Sequence, residues 1–284
     1  MIGLFDSGDG GLTIFRTLIA HFPNVRFAYL GDHANAPYGN RSSHEVISLT
    51  EAGATRLLNL ECDSVILACN TATAVACRTL QQDWLPKTRW AGERNVLGIV
   101  APTVEAATQT PWAVQTPQYP QKYNSDTIAV FGTRRTIACD VYREEICKRC
   151  PNVTVLQQAC PHIAGAIESR IPVSELDKMV EDCVGRILIA SGGVAPDKAI
   201  LGCTHFPLVE HLFRRHLPTA TRVLAQPDAV AHSLEHYLLR HPCLTKSVYG
   251  VNAPIFLTTG ELSGLDNTSS PFWTGQIRFE RVAV

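Results

Sequence analysis

The sequence predicts an α/β protein with two pseudo-symmetric α/β domains, each carrying a mostly parallel sheet. Short apolar runs alternate with amphipathic helical patterns. These runs are apolar almost throughout, which is typical of strands buried on both faces of a parallel sheet. Polar turns also follow the strands in a similar order in each half of the chain. The predicted strands are "MIGLF", "VRFAYL", "DSVILA", "VLGIV", "TIAVF", "VTVLQ", "KAILG" and "RVLA".

Helical spacing of apolar residues predicts helices over 42–60 and 173–190, and a further helix is expected over 11–21. Ser42 or Ser43 is the expected N-cap of the helix over 42–60. Between the predicted elements, 108–126 is rich in proline and glutamine and has no periodicity. It is therefore predicted to be a long loop or flap, to which the sequence assigns no role.

Composition narrows the class of protein. The chain has 284 residues, 45% of them apolar and 18% charged, as expected of a globular protein. A formal net charge of −1 gives no basic field for nucleic acid and no polybasic membrane patch. No apolar run approaches the roughly 18 residues that cross a bilayer, and "MIGLFDSG" is interpreted as a first strand rather than a signal peptide. The ten cysteines are expected to be free thiols in a reducing cytoplasm.

The two halves of the chain repeat one arrangement. In the first, "MIGLF" leads to Asp6-Ser7-Gly8 and "DSVILA" leads to Cys69. In the second, "TIAVF" leads to Thr133 and "KAILG" leads to Cys203. Ligands of open α/β sheets bind beyond the carboxyl ends of the strands. Two such halves facing each other would enclose a site with one cysteine on either side.

A pair of opposed thiols suits the inversion of a carbon that carries an acidic hydrogen. One group, as thiolate, removes the proton from one face, and the other returns a proton to the opposite face. The ordinary cysteine pKa of about 8.5 can be brought near neutrality by the surroundings, where proton transfer is most efficient. Backbone N–H groups at helix N-termini can hold a carboxylate and help stabilise the developing carbanion.

The motifs "FDSGDGGL", "APYGNRS", "ACNTAT", "GIVAP" and "LGCTHFPL" occur in this order along nearly the whole chain. In combination they resemble those of the glutamate racemases of the aspartate/glutamate racemase superfamily. The resemblance implies a cofactor-independent, cytoplasmic enzyme without a metal that interconverts L- and D-glutamate and supplies D-glutamate for peptidoglycan. The implied partner is therefore a small-molecule substrate, and binding to nucleic acid or to a membrane is not expected. A homodimer is left open. The "CTHFPL" and "PYGNRS" forms favour glutamate, with aspartate or hydantoin racemisation as the near alternatives.

The resemblance also implies roles for individual residues. Cys69 and Cys203 would be the catalytic acid/base thiols, with Asp6 assisting Cys69, and with His205 and Glu168 serving Cys203. The implied substrate-binding positions are Asp6, Ser7, Pro37, Tyr38, Gly39, Asn70, Thr71, Thr133, Thr136, Thr204 and His205. The implied domains interleave, with 1–97 plus 208–284 forming one and 98–207 the other, and the pocket lying between them.

Two features depart from the family pattern. Asp9 stands where the family usually has an apolar residue, and the segment 108–126 is longer than usual. An extra carboxylate near the catalytic turn could repel an anionic substrate or raise the pKa of the thiol. It could equally point to solvent or cap the following helix. These departures favour, as a second hypothesis, a binding or regulatory module with little turnover.

Three other motifs point to other chemistry but fit it poorly. "GDGG", with Asp32 closing the second strand, imitates a dinucleotide fingerprint, yet Thr13 replaces the third glycine. "HSLEH" (232–236) matches an inverted zinc motif, which would suggest a zinc hydrolase. Val230, Leu234 and Tyr237, however, form the apolar stripe of that helix and predict that its histidines are exposed. "CKRC" (147–150) is a lone pair of cysteines, better explained by adjacent turns of one helix.

Overall fold

The computed structural model describes residues 1–114, 116–120, 125–241, 253–263, 265 and 271–283. The chain divides into two compact units, one formed by Met1–Ile99 with Val230–Val284 and the other by Val100–Ala229. Each unit contains a parallel sheet, so the predicted α/β class is confirmed. Among the described residues, no helix is long and apolar enough to cross a membrane.

The sheet of the first unit has the strand order β10-β9-β2-β1-β3-β4, and every pair in it is parallel. β1 lies inside the sheet and is buried along its whole length, as its continuous apolar run predicts. Its register places Phe5 opposite Leu67 and Asp6 opposite Gly31. The strands are β1 (Ile2–Asp6), β2 (Phe27–Gly31), β3 (Ser64–Leu67), β4 (Asn95–Gly98), β9 (Ile255–Thr258) and β10 (Glu280–Arg281).

Helices α1 (Leu12–His21), α2 (Ser43–Asn59) and α3 (Asn70–Thr79) follow the first three strands. The predictions over 11–21 and 42–60 are thereby confirmed. Ser42 is the N-cap of α2 and forms a capping box with Glu45, which satisfies two backbone N–H groups that the helix leaves without partners. α3 continues into a π-helical turn, Leu80–Trp84, and a 3-10 turn, Leu85–Lys87.

The second unit has the strand order β6-β5-β7-β8, again entirely parallel. Gly132 lies opposite Gly202, so the turns that follow β5 and β7 are neighbours at one edge of this sheet. Its strands are β5 (Thr127–Gly132), β6 (Thr154–Ala159), β7 (Lys198–Gly202) and β8 (Arg222–Leu224). Its helices are α4 (Val100–Thr108), α5 (Arg134–Ala138), α6 (Val141–Arg149), α7 (Ile163–Glu168), α8 (Val173–Ala190) and α9 (Glu210–His216), and α10 (Gln226–Arg240) starts here. The prediction over 173–190 is confirmed.

The units interleave, but their bounds differ from the predicted ones. The chain passes from the first unit to the second at Ile99/Val100 rather than at 97/98. It returns to the first unit within α10, at Ala229/Val230, rather than at 207/208. The segment 208–229 stays with the second unit because β8 pairs with β7 there. Strands β9 and β10 were not predicted. β10 has two polar, exposed residues, and only pairing with β9 makes it a strand.

The segment 108–126 is tied to α6 by Trp112. Its described residues beyond α4 form neither helix nor strand. The Arg149 guanidinium lies 4.1 Å from the centre of the Trp112 ring and donates to the Trp112 carbonyl at 2.8 Å. Arg149 is fully buried and also pairs with Glu145 at 2.7 Å. A buried cation is tolerated only when it is partnered in this way, so part of the predicted loop is anchored.

The capping box gives a test of α2. Replacing Ser42 with Ala removes the acceptor for the Glu45 N–H and should lower the free energy of unfolding by about 1 kcal/mol. Ser43→Ala is the matched control, since Ser43 lies inside the helix and does not serve as its cap. Urea unfolding of both variants measures the difference. Equal stabilities would show that the cap does not hold the helix start.

Candidate active site

Cys69 lies between β3 and α3, in the first unit. It is the N-cap of α3 and is 6% exposed. Because β1 and β3 pair in parallel, the residues that follow them are neighbours, and the Ser7 hydroxyl lies 3.5 Å from the Cys69 sulfur. Thr73 fixes the start of α3 by donating its hydroxyl to the Leu67 carbonyl at 2.7 Å. The N-terminus of an α-helix stabilises a nearby anion, so this position favours the thiolate form of Cys69.

The turn after β1 carries Asp6 and Ser7. Asp6 is fully buried, and its carboxylate accepts the Gly8 N–H at 3.0 Å. Tyr29 donates its hydroxyl to the Gly8 carbonyl at 2.5 Å. Burial, with added repulsion from Asp6 and Asp9, raises the pKa of Tyr29, which therefore stays a hydrogen-bond donor. The N-cap residue of α1 is Gly11 rather than Asp6.

Asp32 organises the loop that carries the "PYG" motif. Its fully buried carboxylate accepts hydrogen bonds from Tyr38 at 2.6 Å, Asn35 at 3.0 Å and Thr259 at 2.6 Å. Sequence reasoning considered Asp32 only within the dinucleotide pattern. The available signal was a carboxylate at the carboxyl end of a buried strand.

The implied binding positions in this loop differ in exposure. Tyr38 is buried, packs on Phe5 and uses its hydroxyl on Asp32. Pro37 is exposed and Gly39 is half-buried. The Tyr38 side chain therefore supports the loop, and its backbone remains the part suited to contact a ligand.

Asp9, the unexpected carboxylate, neither points freely to solvent nor caps α1 through its side chain. It pairs with His33, with the His33 Nε2 lying 2.9 Å from the Asp9 Oδ1. The extra negative charge near the turn is thereby partnered by a histidine, which sequence reasoning did not single out.

Cys203 follows β7 in the second unit and is 5% exposed. Its sulfur lies 3.8 Å from the Nδ1 of His205. The Nε2 of His205 lies 2.7 Å from the Glu168 carboxylate, which stands at the end of α7. Burial opposes the charged form of His205, but hydrogen bonds to Cys203 and Glu168 outweigh it and raise the pKa of His205 to about 10. His205 therefore stands beside Cys203 as an imidazolium whose Nδ1 can donate a hydrogen bond to the sulfur.

The two cysteine turns are not equivalent. Cys69 starts a ten-residue α-helix, whereas Cys203 is followed by a 3-10 turn, Phe206–Val209, before α9 begins. Only the first turn leads directly into a long α-helix. Instead of a long helix, Cys203 has the His205 imidazolium beside it, and the Glu168 carboxylate holds that imidazolium.

The remaining implied binding residues lie at the ends of the strands that carry the cysteines or next to them. Asn70 and Thr71 form the buried first turn of α3, and Thr204 is buried directly after Cys203. Thr133 is the N-cap of α5 and accepts the Thr136 N–H at 3.2 Å. All these positions therefore lie at the carboxyl edge of one of the two sheets, where ligands of such folds bind.

The other motifs have structural explanations. His232, Glu235 and His236 are exposed on α10, while Val230 and Leu234 are buried, as the apolar stripe predicts. Cys147 lies on α6 and Cys150 is its C-cap. Within the described ranges, no group of three or more His, Cys, Asp or Glu side chains could hold a metal ion. The nine cysteines in those ranges are free thiols, and Cys243 lies outside the described residues.

Comparison with known proteins gives relatives along the full chain. The chain is 46% identical to a glutamate racemase from Phenylobacterium zucineum (strain HLK1), over 98% of this chain and 99% of that protein. Its fold is similar to that of a glutamate racemase isoform from Bacillus anthracis, with a TM-score of 0.84, 26% identity and coverage of 100% and 97%. A structure of the Francisella tularensis glutamate racemase in complex with D-glutamate shares the fold at a TM-score of 0.82, 24% identity and coverage of 99% and 97%. No protein-family model matches the chain.

The raised pKa of His205 predicts how stability depends on pH. Between the ordinary value of 6.5 and about 10, the folded protein holds a proton at His205 that the unfolded chain has released. The free energy of unfolding therefore falls as pH rises through this window. Urea unfolding at pH 7, 8, 9 and 10 should show a smaller fall for His205→Asn than for the native protein. His211→Asn, an exposed histidine of the same unit, is the control; equal slopes in all three proteins would contradict the prediction.

Proposed function

Because the chain belongs to the glutamate racemase family, whose members are isomerases, we propose that it interconverts L- and D-glutamate by moving a proton at Cα between two thiols, Cys69 and Cys203. One observation supports this most strongly. Each of two buried cysteines follows the carboxyl end of a parallel strand and has a polar partner of its own. Cys69 would serve one face of the Cα and Cys203 the other.

The proton balance of the reaction is simple. One thiolate takes the Cα proton and becomes a thiol, and the carbanion left behind takes a proton from the other thiol, which becomes a thiolate. After one turnover the two sulfurs have exchanged protonation states. The enzyme is then ready for the opposite enantiomer, and exchange with solvent restores the first state. No electron leaves the substrate, so the step needs no oxidant or reductant.

Each thiolate has its own source of stabilisation in this mechanism. For Cys69 it is the N-terminus of α3 together with the Ser7 hydroxyl. For Cys203 it is the imidazolium of His205, held by Glu168. Asp6 is the carboxylate nearest in sequence to Ser7, and in the proposed reaction it would assist proton transfer at Cys69. The thiols are weak bases compared with the carbanion, so hydrogen bonds to the substrate carboxylate must stabilise the developing charge.

The proposed substrate contacts are polar side chains and backbone groups next to each cysteine. Ser7, Asn70 and Thr71 would bind glutamate beside Cys69, together with the backbone of Tyr38 and Gly39. Thr204 would do so beside Cys203, with Thr133 and Thr136 as further contacts. Hydroxyl, amide and backbone N–H groups donate the hydrogen bonds that a carboxylate accepts. Glutamate has two carboxylates. We expect the enzyme to act in the cytoplasm and to supply D-glutamate for peptidoglycan.

Solvent exchange tests the reaction. Pure L- or D-glutamate incubated with the enzyme in deuterated water should racemise and gain one deuterium at Cα. Circular dichroism follows the loss of optical activity, and mass spectrometry follows the exchange. Glutamate that binds but keeps both its configuration and its Cα hydrogen would show a binding protein instead of a racemase.

Single substitutions test the two thiols. Cys69→Ala and Cys203→Ala should each reduce racemisation by at least about a thousandfold, because each direction needs one thiol as base and the other as acid. Cys183→Ala, another buried cysteine of the second unit, controls for the loss of a thiol as such. If either catalytic variant keeps full racemisation, the two-thiol mechanism is wrong even where the overall reaction stands.

The physiological role has its own test. Expression of the chain in a bacterial strain that requires added D-glutamate should restore growth without it. The Cys69→Ala variant should not restore growth. Continued dependence on D-glutamate in cells that contain active enzyme would argue against the peptidoglycan role.

A further inference from the structure

We propose that Asp9 and His33 form a positioning pair that holds the turn after β1, and with it the Ser7 hydroxyl, against the Cys69 thiol. This inference rests on the proposed two-thiol racemisation. Neither residue is expected to touch substrate. The pair would act through the turn, and its effect should be confined to the proton transfers of Cys69.

The turn is held at several points. Asp6 accepts the Gly8 N–H, and Tyr29 donates to the Gly8 carbonyl. The Asp9 carbonyl accepts the Leu12 N–H at 2.9 Å. Beyond these, the Asp9 side chain makes the bond to His33. Ser7, two residues before Asp9, has its hydroxyl 3.5 Å from the Cys69 sulfur. A shift at Asp9 is therefore transmitted along two residues to the contact with the thiol.

His33 is itself fixed from several sides. Its Nδ1 lies 2.8 Å from the Thr258 hydroxyl and 3.1 Å from the Gly31 carbonyl. The ring of Phe279 meets it edge-on, with the ring centres 5.5 Å apart. Thr258 ends β9, and its hydroxyl also accepts the Gly260 N–H at 2.9 Å. The imidazole thus connects the turn after β1 to the ends of β2 and β9.

Two glycines leave the space that His33 occupies. A Cβ at Gly31 would come within 2.3 Å of the imidazole Cε1, and a Cβ at Gly260 within 2.8 Å of the His33 Cβ. Real Cβ atoms do not come so close, so a side chain at either position would displace His33. The His33 and Asp9 side chains are 14% and 28% exposed. The contact between them is therefore better shielded from water than a contact on the open surface, and it is geometrically constrained.

The chain offers a matched control. His216 and Asp177 form a second histidine–aspartate pair with the same 2.9 Å distance and side chains 18% and 24% exposed. This pair joins α9 to α8 in the second unit and belongs to neither cysteine turn. Its removal tests what the loss of such a pair does in the absence of a link to Cys69.

The first experiment measures isotope effects. Asp9→Ala and His33→Ala should each lower kcat/KM roughly tenfold, the order expected when a group is slightly misplaced. With Cα-deuterated glutamate, the isotope effect on kcat/KM should rise for the enantiomer that Cys69 deprotonates. For the other enantiomer it should fall, because reprotonation by Cys69 then limits the rate. Glu168→Gln, on the Cys203 side, should produce the opposite pattern, and Asp177→Ala should produce neither.

The same variants test whether the two residues act as a unit. The double variant Asp9→Ala/His33→Ala should lower kcat/KM by no more than either single substitution does. Asp9→Asn keeps an acceptor for the His33 N–H and should restore most of the activity. Additive losses in the double variant, or isotope effects that change equally for both enantiomers, would overturn the inference.

The second experiment does not depend on turnover. The pH dependence of Cys69 alkylation by iodoacetamide, followed by mass spectrometry, should shift to higher pH in Asp9→Ala and His33→Ala. The profile of Cys203 should stay unchanged in both, and Asp177→Ala should change neither profile. An unshifted Cys69 profile rejects the positioning pair whether or not the protein racemises glutamate. Absence of racemisation in the native protein rejects the proposed function separately.

Discussion

The parallel pairing of β1 with β2 and β3 is the constraint on which the first half of the site depends. Parallel strands end at the same edge of a sheet, so the residues that follow them are brought together without any specific attraction between them. Phe5 faces Leu67 in this register, and Ser7 therefore meets Cys69. A slip of one residue would turn each side chain to the other face of the sheet. The buried apolar faces of β1 and β3 thus determine which residues meet beyond the ends of these strands.

The second unit uses the same constraint with different electrostatics. Gly132 faces Gly202, and Thr133 and Cys203 follow these two residues. The thiolate of Cys69 would be stabilised by the dipole of a ten-residue helix, whereas Cys203 has only a 3-10 turn after it and depends on His205. Burial alone would drive a proton off His205, yet its two acceptors keep it charged near neutral pH. One sheet edge therefore relies on backbone dipoles and the other on an ion pair.

Two of the carboxylates near these turns have a partner that lies far away in the chain. The Asp32 carboxylate has three donors, one of them Thr259 near the carboxyl end of β9. Asp9, an extra carboxylate in the turn after β1, is paired with His33, which Thr258 also contacts. Buried or half-buried charge is costly unless it is paired. The end of β9 therefore helps to hold the site even though none of the implied catalytic or binding residues lies on that strand.

The sequence by itself determined the elements that depend on local pattern. Continuous apolar runs predicted β1 to β8, helical spacing predicted α2 and α8, and the two cysteine motifs identified the turns that carry Cys69 and Cys203. Tertiary structure alone decided what depends on distant partners. β10 is a strand only because it pairs with β9. The second boundary between the units lies at 229/230 because β8 pairs with β7 and so belongs to the second unit. The partner of Asp9 and the Thr259 donor to Asp32 could not be predicted for the same physical reason. A short polar side chain carries no periodic signal, and its partner is chosen by which strand ends the sheet brings together.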